Sequence, residues 1–107
     1  IDPELFALTG LQALVDTIQK IKRKLNPSIE IGGILFTKCN KRTNLYRRTY
    51  GQVTKAFQSL PIFNCQIPYT VKVGDANSYG MSVMELEQAN PASLAYLELA
   101  KEVLANA

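Results

Sequence analysis

The alternation of helical and strand-like apolar patterns is the feature that most constrains the fold of this chain. Two short runs rich in β-branched residues, 29–37 and 62–67, predict strands buried on both faces. Apolar residues at three- and four-residue spacing precede, separate and follow them, as in amphipathic helices. Because strands that alternate with helices form right-handed crossovers with parallel strands, we predict an α/β fold. Two strands rarely make a stable sheet, so we expect part of a larger, doubly wound, mostly parallel sheet with flanking helices.

Capping and stop signals give the predicted helix boundaries. The first helix covers 9–25 and ends at Asn26-Pro27, since the residue before a proline avoids the helical region. The second covers 44–59, with Thr43 as its N-cap, and the last begins at Asn90-Pro91. Turn-forming residues in 68–80 predict a loop. The predicted inward residues of the last two helices are Leu45, Val53, Ala56, Phe57, Leu94, Leu97, Ala100 and Leu104.

Composition excludes several classes of chemistry. The 107 residues include no histidine and two cysteines, Cys39 and Cys65, which are too few and too far apart for a zinc site. The absence of histidine removes Ser-His-Asp and Cys-His catalysis. No apolar run approaches the roughly 20 residues that span a bilayer. The net charge of +3 is too small to predict nucleic-acid binding by itself. The chain begins without methionine, so we expect a piece of a longer protein.

Four segments stand out by their order and spacing. They are 3–11 (PELFALTGL), 33–37 with 42–45 (GILFT and RTNL), 67–68 with 71–72 closing at 78–80 (IP, VK and SYG), and 95–102 (AYLELAKE). Together they resemble the ParA/Soj-type chromosome- and plasmid-partitioning ATPases of the MinD/ParA P-loop superfamily. The resemblance extends over essentially the whole chain. Each segment alone is a weak signal, and the four together are a strong one.

The resemblance implies that residues 1–107 are the C-terminal fragment of a ParA-type ATPase domain. The family binds ATP and Mg, dimerises, binds DNA without sequence preference and works with a ParB-type partner in the cytoplasm, on the nucleoid. Gly32-Gly33 is followed by no Gly-Lys-Ser/Thr, so the phosphate-binding loop is absent here, as is the Walker B aspartate. We therefore expect no ATP hydrolysis and no bound cofactor in these residues alone. The glycine pair predicts close backbone packing in a strand.

Ligands of doubly wound folds bind beyond the carboxyl ends of the strands. In the resembled family these strand ends border the adenine base. The corresponding residues here are Thr37, Lys38, Pro68, Tyr69 and Val71. Thr37 suits a hydrogen bond to the base edge, and Pro68, Tyr69 and Val71 suit its apolar faces. The alternative is structural: Pro68 ends the strand and Tyr69, where the family commonly has a basic residue, covers the sheet edge.

The resemblance assigns non-specific DNA binding to Arg42 and Lys72, with Lys41, Arg47 and Arg48 as supporting candidates. Phosphate neutralisation requires only exposed cations, so these residue types fit the role. Two departures weaken this assignment. The family's acidic-proline pair is replaced by Asp75-Ala76-Asn77, and Lys72 stands where arginine is frequent, which loses the guanidinium fork.

Two other functions remain open at this stage. A MinD-like ATPase would bind membrane through a basic amphipathic C-terminal helix, but residues 93–107 contain two acidic residues and one basic residue, so we expect no membrane partner. A non-enzymatic module would oligomerise or bind DNA through faces that a longer protein covers. For the isolated piece we expect an oligomer, non-native or domain-swapped.

Overall fold

The chain folds into two parallel strands between layers of helices. The computed structural model describes residues 1–3 and 7–106. Its elements are α1 (Ala7–Lys24), β1 (Ile34–Cys39), α2 (Asn44–Ala56), β2 (Ile62–Pro68), α3 (Val71–Ser78), α4 (Val83–Leu86) and α5 (Pro91–Ala105). The predicted α/β class is confirmed. The resembling segment at 3–11 includes residues 4–6, which lie outside the described part of the chain.

The two strands pair in parallel, as the helix between them requires. Ile34 is paired with Ile62, Phe36 with Gln66 and Cys39 with Pro68, and the register shifts between each of these pairs. The opposite edge of β1 is paired as well. The Thr37 backbone N–H donates to the Ile1 carbonyl over 2.8 Å, and the Ile1 amino group donates to the Leu35 carbonyl. This alternation is that of a parallel ladder, so Ile1 occupies the position of a neighbouring strand.

The alternation of β1 side chains assigns the helices to two layers. Ile34 and Phe36 join one buried cluster with residues of α1 and α2, including Leu11 and Val53. Leu35 packs against a second cluster formed by β2, α3, α4 and α5. Because successive side chains of a strand point to opposite faces, α1 and α2 cover one face of the sheet and α3–α5 cover the other.

Helix α5 docks on β2 through small and polar side chains rather than through leucines. Its buried residues are Ala92 and Ser93. The Glu102 carboxylate accepts hydrogen bonds from the backbone N–H groups of Asn64 at 2.6 Å and Cys65 at 3.0 Å. These amides lie where the register of β2 with β1 shifts. The carboxylate therefore satisfies donors in an irregular part of the strand.

The predicted inward faces are partly wrong. Leu94, Leu97 and Leu104 of α5 are 51%, 42% and 75% exposed, because small residues bring the opposite side of the helix against β2. In α2, Leu45 and Ala56 are exposed, whereas Val53 and Phe57 are buried as predicted. Tyr46 and Thr49 take the inward positions. Thr49 does so because its hydroxyl donates to the Pro3 carbonyl at 3.1 Å.

The loop prediction for 68–80 is also wrong over most of its length. Residues Val71–Ser78 form α3, capped by the Thr70 side chain, and Gly80 follows it with a positive φ of 68°. Gly74, Asp75 and Asn77 weaken a helix locally, but burial of Ala76 against β2 and α4 overrides that preference. Glycine ends the segment because it adopts the left-handed conformation without a Cβ penalty.

Candidate nucleotide-binding edge

Both strands end at the same edge of the sheet, and we refer to it as the carboxyl edge (residues 37–42 and 67–72). Lys38 there has a positive φ of 53°, within the stretch where β1 changes register between Phe36 and Cys39. A non-glycine residue in this conformation costs roughly 1–2 kcal/mol. Cys39 still pairs with Pro68, so the ladder continues past Lys38 to the carboxyl edge.

A cavity of about 450 Å³ lies between the carboxyl edge and α3. Its lining includes every residue predicted to contact the adenine base: Thr37, Lys38, Pro68, Tyr69 and Val71. The rest of the lining consists of Ile67, Thr70, Val73, Gly74, Asn77 and Tyr96. Tyr69 and Val71 are largely exposed, so their apolar surface faces the cavity mouth and solvent. The structure thus brings five residues from two strand ends and a helix start to one concave surface.

A second cavity of about 530 Å³ lies across Pro68 and Tyr69 from the first. It is lined by the β1–α2 loop, which contains Lys41 and Arg42, and by Gln66, Pro91 and Ala95. The loop is organised by Asn40, whose side-chain oxygen accepts from the Arg42 backbone N–H at 3.2 Å. Thr43 then caps α2 by accepting from the Tyr46 backbone N–H, as predicted. The two cavities differ in charge, since the second has two cationic side chains on one wall.

The starts of α3 and α5 are joined by a pair of capping residues that sequence reasoning did not connect. Thr70 accepts a hydrogen bond from the Lys72 backbone N–H at 3.3 Å. Asn90 accepts from the Ala92 backbone N–H at 2.9 Å and donates to the Thr70 hydroxyl at 3.3 Å. This link fixes one wall of the first cavity. The sequence signal for Asn90 as a cap was present in Asn90-Pro91, but its contact with Thr70 is non-local.

The predicted DNA-binding residues occupy both helix layers. Lys41 and Arg42 lie in the exposed β1–α2 loop, and Arg47 and Arg48 lie exposed on the first turns of α2. Lys72 is on α3, in the other layer, where its ammonium group is 3.9 Å from the Glu87 carboxylate. Both side chains are about half exposed, so this ion pair contributes little to stability. Glu87 was not singled out from the sequence.

The two cysteines are free thiols, and neither is activated. Burial raises the pKa of Cys39 to about 11, and the positive charge of nearby Lys41 only partly offsets this. Burial also raises the pKa of the Cys65 thiol, with the negative charge of Glu102 as a smaller cause. Thiolate is the nucleophilic form of cysteine, so neither residue is suited to nucleophilic catalysis near neutral pH.

We expect Cys39 in the folded chain to react with iodoacetamide at pH 8 at least roughly tenfold more slowly than in urea, because the thiolate is scarcer and buried. Mass spectrometry of timed samples measures this rate. Cys39 binds its proton more tightly when folded, because its pKa rises from the ordinary value of 9.0 to about 11. Its contribution to stability is therefore complete below about pH 9 and declines as pH rises towards 11. Equal rates in the two states would contradict this burial.

Neither a metal-binding cluster nor a membrane-spanning helix is observed in the described residues. Over 1–3 and 7–106, no group of three or more His, Cys, Asp or Glu side chains is arranged to hold a metal ion. In the same ranges, no helix has the length and apolar character needed to cross a membrane.

The architecture is that of parallel α/β domains, a class in which ligands commonly bind beyond the carboxyl ends of the strands. Residues 2–83 match the family described as the CobQ/CobB/MinD/ParA nucleotide binding domain, and the chain belongs to this family.

Curated relatives of this chain include named partitioning proteins. The chain is 36% identical over 102 residues to the chromosome-partitioning ATPase Soj of Treponema pallidum. It is 36% identical over 101 residues to the chromosome partitioning protein ParA of Caulobacter vibrioides, and 34% identical over 103 residues to the sporulation inhibitor Soj of Bacillus subtilis. These matches include 94–96% of this chain but 38–40% of each relative, so the chain spans about two fifths of their length.

Proposed function

We propose that this chain is the C-terminal part of a ParA/Soj-type partitioning ATPase and that its carboxyl edge forms the base-binding side of the nucleotide site. The observation that carries the proposal is the cavity lined jointly by Thr37, Lys38, Pro68, Tyr69 and Val71. The family match and the partitioning relatives support it. Phosphate contacts and hydrolysis belong to a P-loop that these 107 residues do not contain.

The residues present fit an adenine base. The rings and branched side chains of Pro68, Tyr69 and Val71 offer apolar surface to the faces of a planar ligand. The Thr37 hydroxyl donates to the Ile1 carbonyl at 3.3 Å and retains acceptor capacity for an exocyclic amino group. ATP with Mg supplies the reactive phosphates when bound. The described residues orient and desolvate the base, which is binding rather than catalysis.

The same proposal includes ATP-dependent dimerisation, a ParB-type partner and non-specific binding to nucleoid DNA through Arg42 and Lys72.

A membrane-binding function is less well supported by the surface of α5. Its outward leucines stand beside Glu98, and its one basic residue, Lys101, is already paired with that carboxylate at 3.1 Å. Such a face offers little attraction to anionic lipids.

The nucleotide proposal is tested by Val71→Glu in the natural protein that carries this sequence. The substitution places a carboxylate at the first position of α3, where helix formation tolerates it, and at the mouth of the cavity. We expect binding of a fluorescent ATP analogue to weaken at least roughly tenfold, which is about 1.4 kcal/mol. Val103→Glu, exposed on α5, is the matched control. Equal affinities for both variants, or a natural protein without a P-loop, would refute the proposal.

A further inference from the structure

The basic residues of this chain are strongly segregated. Residues 17–74 contain eleven of the twelve lysines and arginines and one acidic residue, Glu30. From 31 to 74 there is no aspartate or glutamate at all. The modest net charge of +3 therefore conceals two regions of opposite sign. A region of one sign creates a local potential that attracts a polyanion even when the whole molecule is nearly neutral.

This segregation along the chain becomes segregation between the two helix layers. Helices α1 and α2 contain seven basic residues (Lys20, Lys22, Arg23, Lys24, Arg47, Arg48 and Lys55) and one acidic residue, Asp16. Helices α3, α4 and α5 contain two basic residues (Lys72 and Lys101) and four acidic ones (Asp75, Glu85, Glu98 and Glu102). One side of the molecule is therefore basic, and the side that covers the opposite face of the sheet is mildly acidic.

Topology places the basic residues of the first layer at both of its ends. Helices α1 and α2 pack against one buried cluster and each leads back to the start of a strand, so both run from the carboxyl edge to the opposite, amino edge. Lys22, Arg23 and Lys24 end α1, and Lys55 ends α2. These four residues, here called the helix-end cluster, lie at the amino edge. Arg47 and Arg48 lie towards the carboxyl edge.

The helix-end cluster is available to a partner. Arg23, Lys24 and Lys55 are exposed and Lys22 is half-buried. The ion pairs Lys72–Glu87 and Lys101–Glu98 both lie in the other layer. Cations in the last turn of a helix also interact favourably with the helix dipole. This interaction explains part of the basic character at the end of α1. The dipole acts only over that turn and does not account for the basic residues on the first turns of α2.

We propose that the outer face of α1 and α2, from Arg47 and Arg48 to the helix-end cluster, is a contact surface for the phosphate backbone of duplex DNA. This inference rests on the proposed function and adds a surface that reaches the amino edge, away from Arg42 and Lys72. The basic residues of α2 run from Arg47 to Lys55, and at about 1.5 Å per residue this stretch extends about 12 Å. Duplex DNA carries one phosphate charge per about 1.7 Å of its axis, so several phosphates lie within reach of this face. The acidic layer favours the same orientation by repulsion.

The test measures the salt dependence of binding to a random-sequence DNA duplex by the natural protein with ATP. The first variant replaces Lys22, Arg23, Lys24 and Lys55 with glutamine. Each lost phosphate contact lowers the slope of log K against log salt by about 0.9, so we expect a decrease of about 3 to 4. The charge-retaining variant with arginine at Lys22, Lys24 and Lys55 should keep the wild-type slope. Lys101→Gln is the matched control in the acidic layer, and circular dichroism confirms folding of each variant.

The remaining outcomes separate this surface from the DNA-binding function itself. If Arg42→Gln with Lys72→Gln reduces binding while the helix-end variant keeps the wild-type slope, the proposed function stands and the surface is refuted. A slope lowered equally by Lys101→Gln would also refute it, because the effect would then follow net charge alone. If the wild-type protein binds no DNA at low salt, the DNA-binding part of the proposed function fails together with this inference. Loss of slope in the helix-end variant alone supports it.

Discussion

Phe36→Ala is expected to lower the free energy of unfolding of this chain by about 3–5 kcal/mol. Phe36 has no exposed surface, and its ring centroid lies 5.0 Å from that of Tyr50 in the cluster that joins β1 to α1 and α2. Removing a buried phenylalanine costs about 3–5 kcal/mol through lost burial and the cavity left behind. Small domains have a total stability on the order of 5–15 kcal/mol, and this one is small. The loss therefore removes a large part of the free energy of unfolding.

Urea denaturation followed by circular dichroism measures this effect. Tyr79→Ala is the matched control, since it deletes an aromatic ring that is 73% exposed. We expect the control to change the free energy of unfolding by less than about 0.5 kcal/mol, as surface substitutions usually do. Similar changes for the two variants would show that the cluster around Phe36 is not the core.

The second large effect concerns the two glycines before β1. Alanine substitutions at these neighbouring positions should change the free energy of unfolding in opposite directions. A Cβ added at Gly33 would lie 2.6 Å from Cε2 and 2.9 Å from Cζ of Phe63, whereas a Cβ at Gly32 meets nothing within 4 Å. Gly33→Ala must therefore displace the Phe63 ring, and overpacking of this kind costs about 1–3 kcal/mol. Gly32→Ala instead reduces the freedom of the unfolded chain and should stabilise it by about 0.4–1 kcal/mol.

The measurement is again the free energy of unfolding in urea, and a double variant identifies the cause. Gly33→Ala combined with Phe63→Leu should lose less stability than the sum of the two single variants, because the smaller side chain makes room for the new methyl group. Additive losses would contradict the clash with Phe63 as the cause. The predicted close packing of the glycine pair thus applies to Gly33, and both glycines precede the strand rather than lying inside it.

Local sequence signals predicted the elements that local physics determines. Thr43 and Asn90-Pro91 identified helix starts because a cap acts on amides two or three residues away. The β-branched runs identified both strands, although β1 begins at Ile34 rather than at residue 29. The first half of the run is not paired. The composition of the two halves differs, since residues 29–33 contain Glu30 and both glycines, which weaken a strand, whereas residues 34–37 contain none.

Non-local contacts determine the features that sequence patterns missed or predicted wrongly. Helix α3 forms where turn residues predicted a loop, because Ala76 is buried against elements from other parts of the chain. The leucines of α5 point outward because Ala92, Ser93 and Glu102 dock the opposite side on β2. Neither the Glu102 contact, 38 positions from Asn64, nor the Thr70–Asn90 contact leaves a periodic trace in the sequence.

The candidate site was more predictable than the helix faces. Parallel strands end at one edge, so residues after Thr37 and after Ile67 had to converge, and the cavity at that edge includes the five expected side chains. The pairing of Lys72 with Glu87 was not predictable, since it depends on the path of the chain between α3 and α4. The basic side formed by α1 and α2 was only partly predictable. Its charges were visible in the sequence, but the structure was needed to show that α1 and α2 cover the same face of the sheet.

The contact between Glu102 and β2 has a consequence for how copies of this chain behave at high concentration. A stretch of strand with free amide groups is a template onto which another chain can add, and natural sheets commonly protect such edges with charge. The carboxylate occupies the amide donors of Asn64 and Cys65, so these two groups are not open to pairing with another chain. One side chain of α5 thus removes two donors of β2 from those that a second copy could use, in addition to its part in docking the helix.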